Sequence, residues 1–190
     1  MSALGNFLRS TCVCPWWLIR VFDNPIRRLV QEPESVLNGL VQSGNHCLDL
    51  GCGYGFFTIP MAKMVAPSGT VTAADLQPQM LAGVRRRAEK SGLLAQVRFH
   101  RVDKFGMRFD KAFDFALAFW MAHEVPDKPG MFGDLSTSLK PGGLLLIAEP
   151  ILHVSETAFT RTVRYAEKAG FQKIHEPRIR FSRAVLMKKV

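Results

Sequence analysis

The densest chemistry in the sequence lies between Cys47 and Thr58, which read Cys-Leu-Asp-Leu-Gly-Cys-Gly-Tyr-Gly-Phe-Phe-Thr. Asp49 stands inside a short apolar run, and Gly51, Gly53 and Gly55 follow at alternate positions. An apolar segment, Phe56 to Val65, comes next. A buried strand leading through a glycine turn into a helix has this pattern. Glycines suit the turn because they accept positive φ and let a ligand approach the backbone closely. More acids close other apolar runs. Asp75 ends Val-Thr-Ala-Ala-Asp and falls 20 residues past Gly55, the interval at which a ribose-binding carboxylate is placed. Asp103 ends the run from Val97, and Glu149 ends the run from Leu144. His123 and Glu124 follow the apolar run Phe113 to Phe119. A histidine there can take a proton near neutral pH, and a glutamate is a second candidate for the same work. Carboxylates at several strand ends, beside a glycine turn, are suited to gripping one polar ligand at the sheet edge where open α/β sheets bind.

A dinucleotide would call for Gly-x-Gly-x-x-Gly, whose third glycine allows close helix–strand packing. Phe56 occupies that third place, so the nicotinamide reading fails. The spacing Gly-x-Gly-x-Gly, with an acid two residues before it, resembles the first motif of the class I S-adenosylmethionine-dependent methyltransferases. The acids at Asp75 and Asp103 match that family's next two strand ends. The stretch from Phe113 to Asp127 resembles its fourth strand and the turn that follows, and Leu139 to Pro150 its fifth. The resemblance runs over roughly residues 35 to 190, in order and without large gaps.

That resemblance implies a Rossmann-like three-layer α/β/α sandwich. Its seven-stranded, mostly parallel sheet would be ordered 3-2-1-4-5-7-6, with an N-terminal helical extension. It implies S-adenosylmethionine as cofactor, with Asp49 toward the amino group of the methionine part and the Gly51–Gly55 amides beside it. Asp75 would take the ribose and Asp103 the adenine edge, with Leu76, Met80, Lys104 and Phe119 completing the cofactor site. It also implies methyl transfer by in-line displacement to a small-molecule acceptor. His123 and Glu124 are the catalytic candidates, and Trp16, Trp17, Trp120 and Glu149 the acceptor-binding ones. For His123 the alternative is a structural role, pinning the turn after the fourth strand. No Asn-Pro-Pro-Tyr-like tetrapeptide follows that strand, which argues against the exocyclic amino methyltransferases of DNA.

Periodicity places the elements that must position these residues. Pro33 opens a helix with Val36, Leu37, Leu40 and Val41 inward and Gly44 at its end. Cys47–Leu50 is a strand, and a helix runs from about Phe56 to Val65, with Pro60 in its first turn. A second strand ends at Asp75, and a helix runs from Gln77 and Pro78 to about Ser91. A third strand spans Val97–Val102 and a fourth Phe113–Phe119; the fourth is apolar almost throughout, as a central parallel strand should be. Pro126 and Asp127 lead into a helix to about Leu139, and Leu144–Glu149 is the fifth strand. Ser155 caps a helix to Ala169, and Phe171–Ile179 and Phe181–Met187 read as two strands, which the resemblance implies pair as a reverse hairpin.

Residues 1–42 read as a helical lid over a single catalytic unit, 43–190. Trp16 and Trp17 suit a cover that excludes water; packing of the extension onto the domain is one alternative, and docking on a membrane surface is another, though the stretch is short and less basic than such anchors usually are. The length of 190 residues fits one domain with a sizeable core. There is no apolar run of 18 residues, and the N-terminus lacks a signal-peptide pattern, so a cytoplasmic location is expected. Cys12 and Cys14 do not have the zinc or redox spacing, and no metal site is expected. The net charge of +9 keeps an RNA-methylating alternative open, though nucleic acid is not favoured; a non-catalytic binding module is the other. The protein is expected to be a monomer or homodimer.

Overall fold

The computed structural model describes residues 31–103, 106–110 and 112–190. Seven strands form one sheet in the order β3-β2-β1-β4-β5-β7-β6. They are β1 (His46–Leu50), β2 (Thr70–Asp75), β3 (Val97–Arg101), β4 (Phe113–Phe119), β5 (Leu139–Pro150), β6 (Phe171–His175) and β7 (Ser182–Lys189). β3, β2, β1, β4 and β5 are mutually parallel, while β7 runs antiparallel to both β5 and β6. This is the order and the Rossmann-like three-layer class expected from the resemblance.

The helices divide between the two faces. α1 (Pro33–Leu37), α2 (Thr58–Val65) and α3 (Pro78–Lys90) cover one face through Leu37, Met61, Val65 and Val84. α4 (Lys128–Ser138) and α5 (Glu156–Lys168) cover the other through Met131, Phe132, Leu135 and Phe159. β1, β2 and β4 are buried along nearly their whole length, which is why their sequences are continuous apolar runs. Proline starts α1 and α3, where a missing N–H costs nothing. Side-chain caps start α4 and α5: Asp127 accepts from the Gly130 amide at 2.9 Å, and Ser155 from the Ala158 amide at 3.2 Å.

Several boundaries differ from the sequence reading. α1 ends at Leu37, because Gly39 at φ +75° turns the chain; Leu37 and Val41 are nevertheless buried, with Val36 and Leu40 packed beside them. α2 starts at Thr58 rather than Phe56, since Phe56 and Phe57 turn inward and stack edge to face at 5.2 Å. β3 stops at Arg101, so Asp103 lies beyond it. β5 begins at Leu139, because Phe113 pairs with Leu139 before a register shift that absorbs the Pro-Gly-Gly turn. β6 stops at His175, ahead of Pro177, which has no amide to continue the ladder.

Candidate functional site

Register places the acids along one edge. Asp49 pairs with Ala73 and Leu117, Asp75 pairs with Arg101, and Glu149 pairs with Arg183. Asp49, Asp75, Asp103 and Glu149 therefore lie at the carboxyl ends of β1, β2, β3 and β5. The glycine turn leaves β1 between them, with Gly51, Gly53 and Gly55 at φ +67°, +53° and +87°. The turn is tied to β2 at two levels. Gly51 and Cys52 donate their amides to the Ala74 carbonyl at 2.8 and 3.1 Å, and Gly53 donates to Asp75 Oδ2 at 3.0 Å. Asp75 thus orients the turn as well as closing its strand. A Cβ on Gly51 would lie 2.7 Å from that of Met121, so the β1 turn and the segment after β4 meet at that glycine.

Asp75 is 8% exposed, and its Oδ1 also accepts from the Gln77 amide at 2.9 Å. Burial pushes its carboxyl above the ordinary value, and the Gln77, Gly53 and Leu76 amides oppose that rise without cancelling it. Asp49 is 3% exposed, and its Oδ2 accepts the Thr58 hydroxyl at 2.5 Å. The sequence pattern places Thr58 in the helix after the glycine turn, and nothing in that pattern ties it to Asp49. Leu76 is half-buried, Met80 is fully buried within α3, and Asp103 is exposed. Phe119 is 6% exposed, between Phe57 at 4.4 Å and Trp120 at 5.5 Å.

Trp120 has φ +57°, a conformation that bulky residues adopt at a cost of about 1–3 kcal/mol. Three contacts hold it there. Its amide donates to the Ala148 carbonyl at 2.7 Å, its indole N–H to the Ser182 hydroxyl at 2.9 Å, and its ring packs on Phe119. The left-handed turn swings the following 3₁₀ segment, Ala122–Glu124, back toward the end of β5. There Glu149, 1% exposed, takes the His123 backbone N–H on Oε1 at 2.9 Å and contacts His123 Nδ1 through Oε2 at 2.5 Å. Burial alone would lower the His123 pKa. The hydrogen bond and charge of Glu149, with the charge of Glu124, outweigh burial and hold it above the ordinary value. Glu124 is half-buried.

The two described cysteines are buried. Burial pushes the Cys47 thiol up to about 12 and the Cys52 thiol well above its usual value, so neither ionises near neutral pH. Among the described residues no cluster of His, Cys, Asp or Glu is placed to hold a metal ion, and no helix is long and apolar enough to cross a membrane. Trp16, Trp17, Lys104, Cys12 and Cys14 lie outside the described residues.

A methyltransferase-domain family model matches residues 47–143, from β1 into β5. A ubiquinone/menaquinone biosynthesis C-methyltransferase of Pasteurella multocida is 34% identical over 116 residues, which is 59% of this chain and 43% of that protein. A ubiquinone biosynthesis O-methyltransferase of Xanthomonas euvesicatoria is 31% identical over 144 residues, 76% of this chain and 56% of that one. The chain thus spans about half the length of these curated relatives. Among solved structures, a SAM-dependent methyltransferase of Aquifex aeolicus superposes with a TM-score of 0.84 at 24% identity, covering 94% of this chain and all of that one. The N-methyltransferase NodS of Bradyrhizobium japonicum, solved with S-adenosyl-L-homocysteine, gives 0.69 at 16% identity and covers 90% of each chain.

Proposed function

Since the chain belongs to the class I S-adenosylmethionine-dependent methyltransferase family, we propose that it methylates a small aromatic acceptor of the kind met in quinone biosynthesis. The His123–Glu149 pair carries this reading: a buried carboxylate fixes an imidazole at the edge of the sheet where the glycine turn and the strand-end acids lie. The names of the C- and O-methylating relatives support the acceptor class.

The residues at this edge suit the cofactor of the family. Asp75 is a desolvated carboxylate that already accepts one amide on each oxygen, and its remaining acceptor capacity matches a ribose diol. The positive-φ glycines bring backbone amides to the edge beside the buried carboxylate of Asp49. Asp103 is the candidate for the adenine amino group, with half-buried Leu76 at the entry to α3, while Met80 is a core residue with no surface open to a ligand. Lys104 is named with them by sequence position alone. When bound, S-adenosylmethionine supplies a methyl group on a sulfonium, a leaving group that needs no further activation.

The chain's own work is orientation, exclusion of water and removal of a proton. Half-buried Trp120 supplies an aromatic wall for a flat acceptor, backed by the buried rings of Phe119 and Phe57. With Nδ1 held by Glu149, His123 can present Nε2 to a phenolic or enolic proton. The Glu149 charge favours the imidazolium that results. Glu124 adds a weaker negative field. Of the segment 1–42, Pro33–Leu37 packs on the sheet face, and the part that carries Trp16 and Trp17 is proposed as the cover over this space.

The test uses two readouts. Calorimetry with S-adenosylhomocysteine measures the cofactor site, and turnover is followed with a demethylated quinol and with a short RNA. Binding with methylation of the quinol is the expected result. Binding with methylation of RNA alone would replace the acceptor class, and no binding would remove the cofactor reading.

A further inference from the structure

The rim of the sheet beside this site carries large apolar side chains in solvent. Ile151, Leu152 and Phe181 are 43%, 85% and 51% exposed. They come from two loops, one leaving β5 and one entering β7. The Ile151 amide donates to the Phe181 carbonyl at 3.1 Å, so the loops form one projection. The Arg183 guanidinium fastens its base, donating to the Val154 carbonyl at 2.7 Å and the Ile151 carbonyl at 3.4 Å. Phe181 is held at φ +58°, a conformation unusual for a bulky side chain. The backbone therefore fixes these side chains outward, where water solvates them poorly.

We propose that this projection inserts into the interfacial layer of an anionic lipid bilayer. The charge around it selects that partner. Arg178 and Arg180 are exposed within three residues of Phe181, and the Arg180 guanidinium lies 5.8 Å from the Phe181 ring. From Ile151 to Val190 the chain carries nine Lys and Arg against three Glu. The whole chain is at +9, so a second copy would approach against like charge, while an anionic surface attracts it. Apolar tips flanked by arginines fit the layer between head groups and acyl chains. Pro150 joins the projection directly to Glu149, the partner of His123. Docking there would turn the rim of the proposed site toward the membrane, so that an apolar acceptor need not cross water. That consequence rests on the acceptor class proposed above, whereas the binding itself does not.

The test is co-sedimentation of the full chain with vesicles of phosphatidylcholine alone and of phosphatidylcholine with phosphatidylglycerol. The wild-type chain should bind the mixed vesicles, less so as salt is added, and bind pure phosphatidylcholine weakly. Leu152→Ser should reduce binding roughly tenfold, the loss of one buried leucine, and Phe181→Ser should reduce it similarly. Arg178→Gln with Arg180→Gln should weaken binding and flatten its salt dependence. Circular dichroism and S-adenosylhomocysteine affinity should be unchanged in Leu152→Ser, whose side chain is almost wholly exposed. Failure of the wild-type chain to bind mixed vesicles, or binding by both serine variants as tight as that of the wild-type chain, would overturn the proposal. So would a lipid-free dimer in ultracentrifugation that Leu152→Ser dissociates, since the patch would then belong to a second copy. Turnover on a water-soluble acceptor, measured alongside, separates failure of docking from failure of the enzymatic reading.

Discussion

Glu149 binds His123 twice: Oε1 takes its backbone N–H at 2.9 Å, and Oε2 meets its ring Nδ1 at 2.5 Å. One buried carboxylate thus sets both the path of the chain after β4 and the orientation of the imidazole. A purely structural residue could do the first alone. The second makes the pair chemically testable.

Glu149→Gln keeps the shape and removes the charge. The His123 pKa should fall, because burial then acts with less opposition. If His123 is the base, the acid limb of the kcat/KM profile should move to lower pH, and kcat should fall by about tenfold or more. His123→Asn should abolish that limb. A limb that stays in place in both variants would assign the pair to positioning the turn only.

The same pair predicts how stability depends on pH. The folded His123 pKa lies above its unfolded value, which is near 6.5. The stabilisation is therefore complete below the unfolded pKa and is lost as pH rises through the folded one. Thermal unfolding of wild type and Glu149→Gln, followed across neutral pH, should show the wild-type advantage shrinking as pH rises. An advantage that grows with pH would contradict the assignment.

Asp75→Ala removes a carboxylate that serves the β1 turn and, as proposed, the ribose. Each charge-assisted hydrogen bond lost to the cofactor is worth about 1.5–3 kcal/mol. Release of the Gly53 amide adds disorder in the turn. S-adenosylhomocysteine affinity should fall by at least about tenfold, measured by calorimetry. Because burial raises the Asp75 pKa, wild-type affinity should also begin to drop at a higher pH on acidification than an exposed aspartate would allow. Unchanged affinity in Asp75→Ala would remove Asp75 from the site.

What could be read before the structure depended on how local each signal was. Asp49, Asp75 and Glu149 stand out because each interrupts or ends a run of apolar residues, and a buried strand explains such a run. The turn was legible because Gly51, Gly53 and Gly55 sit close together in sequence and all take positive φ. The 7-6 reversal at the sheet edge came from the resemblance, since nothing in Phe171–His175 states which neighbour it pairs with. The bond between His123 and Glu149 joins residues 26 apart on different strand ends, and no periodicity encodes that distance. Thr58 escapes for another reason: within an apolar run that reads as a helix, nothing marks its hydroxyl as a partner for a strand residue. Here it points back to Asp49.

Thr58→Val tests that missed contact. Valine keeps the branched shape but cannot donate, so Asp49 Oδ2 loses a buried hydroxyl partner. Leaving a buried carboxylate short of a donor should cost about 1–3 kcal/mol in urea unfolding. If Asp49 also serves the methionine amino group, cofactor affinity should fall with it, because the carboxylate is no longer held in one orientation. Lost stability with intact affinity would confine Asp49 to the strand.

Gly83 is the position where the sequence carried no hint of a site. It lies mid-helix in α3, where glycine ordinarily costs about 1 kcal/mol relative to alanine. A Cβ there would collide with Cδ1 of Tyr54, the residue between Gly53 and Gly55. The helix therefore gives up propensity so that the Tyr54 ring can lie on its backbone and hold the turn down. Gly55 abuts the same helix, with its added Cβ 3.3 Å from Val84. Gly83→Ala should gain helix propensity yet lose about 1–3 kcal/mol overall through overpacking. Since the displaced ring belongs to the turn, S-adenosylhomocysteine affinity should fall as well. Pairing it with Tyr54→Ala removes the clash: the double variant should recover stability relative to Gly83→Ala while affinity stays low. Full recovery of affinity in the double variant would mean that the ring's seat on α3 is not what shapes the glycine turn.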